Sequence, residues 1–188
     1  MKRHVFVLLA FALLAILVSS CLTVGKKEYT FTLTGKNSGT LTMKFINIMS
    51  IKDDSTDVSN EDFEELLTNY LNGDQIEKDY PTAINIQKKL FEENGQLCAI
   101  VSMDFPDLAT ARLYQRDKKS PYMLCIKSAL DSESYLDSNG EYGGEIMPVV
   151  FWDSKLTKLT LSTEVTQSEE NTVSLLGKYR KWKKETGN

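Results

Sequence analysis

Tyr29, Phe31 and Leu33 are separated by Thr30, Thr32 and Thr34, the period of a half-buried strand with threonines outward. Gly35-Lys36-Asn37-Ser38-Gly39 reads as a turn, after which Leu41, Met43 and Phe45 resume the alternation. Residues 28–34 and 39–49 are therefore expected to form a hairpin. The Gly-Lys pair in this turn lacks the spacing of a phosphate loop, and a strand rather than a helix comes after it. Ser59 or Asn60 can cap a helix whose first turn carries Glu61 and Asp62. Phe63, Leu66, Leu67, Tyr70 and Leu71 then recur at helical spacing until Gly73 stops the run. A loose helical turn over 74–78 ends at Pro81.

Asn94-Gly95 is the strongest short turn signal in the chain and sets a second hairpin, residues 84–91 with 96–104. A two-residue turn pairs Glu93 with Gln96, Phe91 with Cys98 and Leu90 with Ala99. One face then holds Ile84, Ile86, Leu90, Leu97, Ala99, Val101 and Met103 and is expected to be core. The helix at 59–71 is expected to pack on that face. Asp107 opens a short helix through Tyr114, a strand covers 122–127, and 130–144 reads as a long polar loop. Two more strands come next, 146–152 and 156–165, then a helix over 169–185 with Leu175, Leu176, Tyr179 and Trp182 on one face. The connections are mostly too short for parallel crossovers. The expected fold is α+β, a largely antiparallel sheet built from hairpins with about three helices packed on it.

The N-terminal segment obeys another rule. Lys2, Arg3 and His4 precede an uninterrupted apolar run from Val5 to Val18, which ends at Ser19, Ser20 and Cys21. The run falls short of the ~20 apolar residues of a spanning helix. A charged start, a short apolar stretch and small residues make the plan of an export signal. Val18-Ser19-Ser20-Cys21 resembles the lipobox of bacterial lipoprotein precursors, although that pattern prefers Leu where Val18 stands. The resemblance implies cleavage before Cys21 and acylation of its thiol, so Cys21 is the expected lipidation site. It covers only residues 1–21. The implied signal peptide is residues 1–20; residues 21–27 then read as a lipidated tether, and residues 28–188, which no Pro/Ser-rich linker divides, as one domain. The implied location is a membrane-anchored, exported lipoprotein of the cell envelope. Leu22, directly after the cysteine, resembles precursors sorted to an outer membrane, where the source has two membranes.

Composition narrows the chemistry. The chain has 26 acidic and 22 basic residues, a net charge of −4, which argues against nucleic acid as a partner. Its single histidine is His4, lost on cleavage, which leaves no histidine nucleophile system, histidine base or histidine metal site. No cofactor and no metal are expected. Cys98 and Cys125 are the two remaining thiols. An exported compartment permits a disulfide between them, and two free buried thiols are the alternative. Asp131, Glu133, Asp137, Asn139, Glu141 and Glu145 lie in one stretch but fail the calcium-loop pattern, and a solvated loop is the expectation.

The tail Lys178-Tyr179-Arg180-Lys181-Trp182-Lys183-Lys184 concentrates cations and aromatics. Cations complement the C-terminal end of a helix, and a basic aromatic helix near a lipid anchor also suits anionic headgroups or an acidic partner. The functional expectation is a non-catalytic binding or scaffold module, with envelope proteins or a small apolar ligand held between sheet and helices as partners. The alternative is a histidine-independent hydrolase working through carboxylates or a Ser-Lys pair.

Overall fold

The computed structural model describes residues 21–52, 56–130, 133–165 and 170–187. The export segment with Val18, Ser19 and Ser20, and also Asp131, lie outside the described residues. The elements in order are β1 Leu22–Leu33, β2 Gly39–Ile51, α1 Ser59–Glu65 continuing as a π-helical stretch Leu66–Leu71, and α2 Gln75–Asp79. Then come β3 Ile84–Glu93, β4 Gln96–Phe105, β5 Tyr122–Cys125, α3 Ile126–Ala129, β6 Ser134–Ser138 and β7 Glu141–Tyr142. The chain ends with β8 Val149–Trp152, β9 Lys158–Glu164, β10 Thr172–Ser174 and α4 Leu176–Thr186. The result is a mainly antiparallel sheet protein with helices packed on it.

The main sheet runs β3-β4-β2-β1-β9-β6, with β10 added beside the end of β2, and a small sheet runs β5-β8-β7. Its central face carries Tyr29, Phe31, Leu41, Met43, Val101, Met103, Leu159 and Leu161, all buried. The small sheet covers one half of this face with Leu124, Val150 and Trp152. The other half meets α1 and α4 through Phe63, Leu66, Leu175, Leu176 and Tyr179. Ser50 donates to Asp62 at 2.5 Å and ties α1 to β2 in the buried interior.

The 94–95 hairpin has the expected register, with Glu93 opposite Gln96, Phe91 opposite Cys98 and Leu90 opposite Ala99. Asn94 and Gly95 both take positive φ, 51° and 73°, as a tight hairpin turn between twisted strands requires. Phe63 and Leu66 pack with Leu90 and Leu97 as the patterns predict. Ile84 departs from its expected place. Asn85 at φ 56° introduces an irregularity that sets Ile84 opposite Asp104, on the outer face, where it is 56% exposed.

Several boundaries differ from the expectation. Residues 22–27 are no tether: β1 starts at Leu22, and the carbonyl of Cys21 accepts from Ile51 N at 2.7 Å. The segment after Asp107 is a set of turns rather than a helix, since the Asp107 carboxylate takes the N–H and hydroxyl of Thr110. The loop expected at 130–144 contains β6 and β7, because β9 offers β6 an open edge that local polarity does not reveal. The last helix starts at Leu176, after β10 pairs with β2. Four α-helices are present among the described residues, one more than expected.

Cys98 and Cys125 are both free thiols, so the disulfide is not formed. Cys98 alternates with Leu97 and Ala99 and points out of the far side of the main sheet. Cys125 alternates with Leu124 and points out of the far side of the small sheet. Both layers lie between the two sulfurs, beyond the reach of a disulfide. Burial pushes the Cys98 thiol up, whereas the Ser128 hydroxyl and nearby backbone amides hold the Cys125 thiol below its ordinary value. Thiol titration of the folded chain at pH 7.5 is therefore expected to modify Cys125 promptly and Cys98 only after denaturation. Equal rates at the two positions, read by peptide mass mapping, would contradict this placement.

Candidate functional site

Lys27 and Tyr29 share the parity of Phe31 on β1, so all three side chains face the covered side of the sheet. Register places Thr163 of β9 opposite Lys27, and Tyr135 of β6 opposite Thr163. Glu133, just ahead of β6, is thereby delivered to the same spot. Its carboxylate accepts from Lys27 Nζ at 2.6 Å, from the Tyr29 hydroxyl at 2.9 and 2.8 Å, and from Thr163 Oγ1 at 2.5 Å. Glu133 is 7% exposed. Burial first, and then the neighbouring Glu133 charge, push the Tyr29 phenol far above its ordinary range, so it stays a proton donor in the network.

This network forms one wall of a cavity of about 440 Å³ between the sheet and the helices. The floor is Met43, Phe45, Leu90, Ala99 and Val101. The roof is Leu66, Tyr70 and Leu71 of the π-helical stretch, with Ile76 and Tyr80 beside it. The cavity lies where the two apolar clusters meet, and Phe45 and Tyr70 belong to the margins of both.

The roof owes its shape to two features. The Asn72 amide bonds to the Leu67 carbonyl at 3.0 Å, the wider repeat of a π-helix, which occurs often at functional sites. Gly73 lets the chain turn tightly behind it, because a Cβ there would stand 2.4 Å from the Thr68 carbonyl. Lys88 of β3 then pins this turn by donating to the Gly73 carbonyl and to both oxygens of Glu77. At the far end Arg112, in the left-handed region at φ 57°, lays its guanidinium 4.7 Å over the Tyr80 ring. It also donates to the Ala129 carbonyl.

Of the acids singled out in the sequence, Glu133 alone joins this site together with Asp79, an acid the sequence did not mark. Asp137 and Glu141 sit on β6 and β7, and Asn139 is bonded to the Thr160 amide and the Lys158 carbonyl. Among the described residues no group of three His, Cys, Asp or Glu side chains is placed to hold a metal ion. Cys125 lies instead in a surface depression with Arg112, Tyr114 and Met123. Lys27, Tyr29 and Arg112 carry no site signal of their own in the sequence. The one legible hint is parity: a lysine at 27, in phase with Tyr29 and Phe31, implies a buried anion as partner.

The basic tail is divided. Lys178 donates to Asn60, and Arg180 makes a two-pronged pair with Glu92. Trp182 is half-buried beside Tyr179, ring centroids 5.9 Å apart, and Lys183 Nζ stands 5.8 Å from the Tyr179 centroid. Lys181, Lys183 and Lys184 are exposed, and Lys183 and Lys184 occupy the last turn before the left-handed cap at Gly187.

No family model, curated protein or solved structure matches the chain. Among the described residues no helix is long and apolar enough to cross a membrane.

Proposed function

We propose that this chain is a membrane-anchored lipoprotein, acylated at Cys21, whose domain is a non-catalytic module holding a small apolar or amphiphilic ligand in the cavity between sheet and helices. The cavity carries the reading. Its size falls within the range of small-molecule sites, about 300–1,000 Å³, and its floor and roof are apolar with a few convergent polar groups. Ala99, a small side chain, is half-buried on the floor of the cavity. One end of the lining is Leu22, Thr23 and Val24, directly after the proposed anchor, so an acyl chain from the bilayer has a short path to it.

The hydrolase alternative finds less support in the same lining. The acids there are Asp79 and Glu133, and both oxygens of Glu133 already accept hydrogen bonds. Both oxygens of that carboxylate are thus engaged by the protein's own side chains.

A fluorescent polyene fatty acid tests the cavity. It is expected to bind the native chain with enhanced emission and to be displaced by unlabelled acyl chains. Ala99→Phe, which projects a ring into the empty volume, should weaken it at least about tenfold while leaving the unfolding midpoint in place. Unchanged binding to the Ala99→Phe protein would move the ligand elsewhere. Intact mass of membrane-extracted protein tests the anchor separately: acyl mass is expected on a chain beginning at Cys21.

A further inference from the structure

We infer that the C-terminal helix is a second membrane contact, which lays the Cys21 end of the sheet flat against an anionic lipid surface. The orientation of the domain rests on Cys21 as the proposed anchor, and the affinity of the helix chiefly on charge.

Three observations place the helix. Cys21 has no slack behind it, since its carbonyl is bonded to Ile51 and β1 begins at Leu22. An anchor there holds the rim of the domain within reach of the headgroups. Helix α4 crosses the same end of the sheet: Leu175 N bonds to Ile48 O, the Tyr179 hydroxyl to Leu90 O, and Arg180 pairs with Glu92 close to the 94–95 turn. Register puts that turn at the Cys21 end, because Cys98 lies opposite Ile46 while Leu22 lies opposite Ser50. Ile51, beside Cys21, is 41% exposed and offers an apolar contact on this rim.

The charges suit an anionic sheet of headgroups. Leu176 and Tyr179 bury the inner side of α4, which leaves Lys181 and Lys184, one turn apart, on the outer side. The acids of the adjacent hairpin are already matched, Glu92 by Arg180 and Glu93 by Lys44. In the tail itself Glu185 is the one acid. Each lysine near an anionic surface strengthens attraction severalfold, and Trp182 is an aromatic of the kind that settles at the headgroup level.

The test uses a chain of residues 21–188 with Cys21→Ser, which retains every described element and lacks the acyl anchor. It is mixed at low ionic strength with vesicles of equal parts phosphatidylglycerol and phosphatidylcholine, or of phosphatidylcholine alone. Co-sedimentation and quenching of Trp182 by brominated lipid are read; the only other tryptophan, Trp152, is fully buried. Binding is expected on the anionic vesicles alone, and to fade at about 0.5 M salt. Replacing Lys181, Lys183 and Lys184 together by Gln should weaken it at least about tenfold in a chain that stays folded, as its cooperative unfolding transition shows. Failure to bind the anionic vesicles, or equal binding by the triple variant, would overturn the inference. Neither result bears on the acyl mass at Cys21, so the anchor stands or falls on its own measurement.

Discussion

Lys27→Met is expected to lower the stability of the folded chain by about 3 kcal/mol, the lower part of the range for breaking a buried ion pair. The lysine side chain is 23% exposed while Glu133 beside it is 4% exposed, so water replaces only part of what the ammonium provides. The carboxylate keeps its bonds from Tyr29 and Thr163 but loses its counter-charge. Glu133→Gln in the same chain supplies the control. A carboxamide still accepts from the two hydroxyls and carries no charge, so Lys27→Met with Glu133→Gln should be less damaged than Lys27→Met alone. The coupling between the two side chains is the loss in the double variant minus the sum of the two single losses, read from denaturant midpoints of the four proteins in a cycle. Additive losses would show that Glu133 is held by hydrogen bonds alone. The slope of the denaturant transition should stay the same, because neither change alters the surface exposed on unfolding.

Trp152→Ala should cost more, about 3–5 kcal/mol, as for other large aromatic side chains removed from a core. Trp152 is fully buried on β8 and packs 6.2 Å from the Phe31 ring, where the small sheet meets the main one. Its indole N–H has no acceptor among the described residues. Trp152→Phe therefore loses ring volume but also removes an unpaired buried donor, and about 1–2 kcal/mol is expected. Thermal midpoints should rank native, then Phe, then Ala. An Ala variant as stable as the Phe variant would mean that the two sheets collapse to close the gap. Gly140 belongs to the same joint, since a Cβ there would lie 2.7 Å from Trp152 Cδ1 and 2.5 Å from the Phe151 carbonyl.

In the sequence alone, the segments with their own local signal are legible. Alternation marks β1, β2 and the 84–104 hairpin, and Asn94-Gly95 fixes the register of that hairpin because few residues tolerate two successive positive φ angles. Helical spacing from Phe63 to Leu71, with Gly73 behind it, locates the helix and its apolar side, although nothing in the spacing announces a π repeat. The sequence also marks the acidic balance, the lone histidine and the basic tail, since each is a property of composition rather than of contact.

Tertiary structure decided the rest, and long-range pairing is the reason. β6, β7 and β10 are short and polar, and each becomes a strand only because β9, β8 or β2 presents unpaired backbone to it. Ile84 is apolar yet faces outward, because one left-handed asparagine shifts its register. The buried network unites Lys27, Glu133 and Thr163 from distant parts of the chain, and no local window contains more than one of them. The cavity is likewise a property of the gap between two packed layers, set by a helix bonded at the wider repeat and by an alanine where a larger side chain would close it. Local sequence determines which face of each element is apolar. Only the assembled layers determine how far apart those faces stand, and that distance is what makes a binding site.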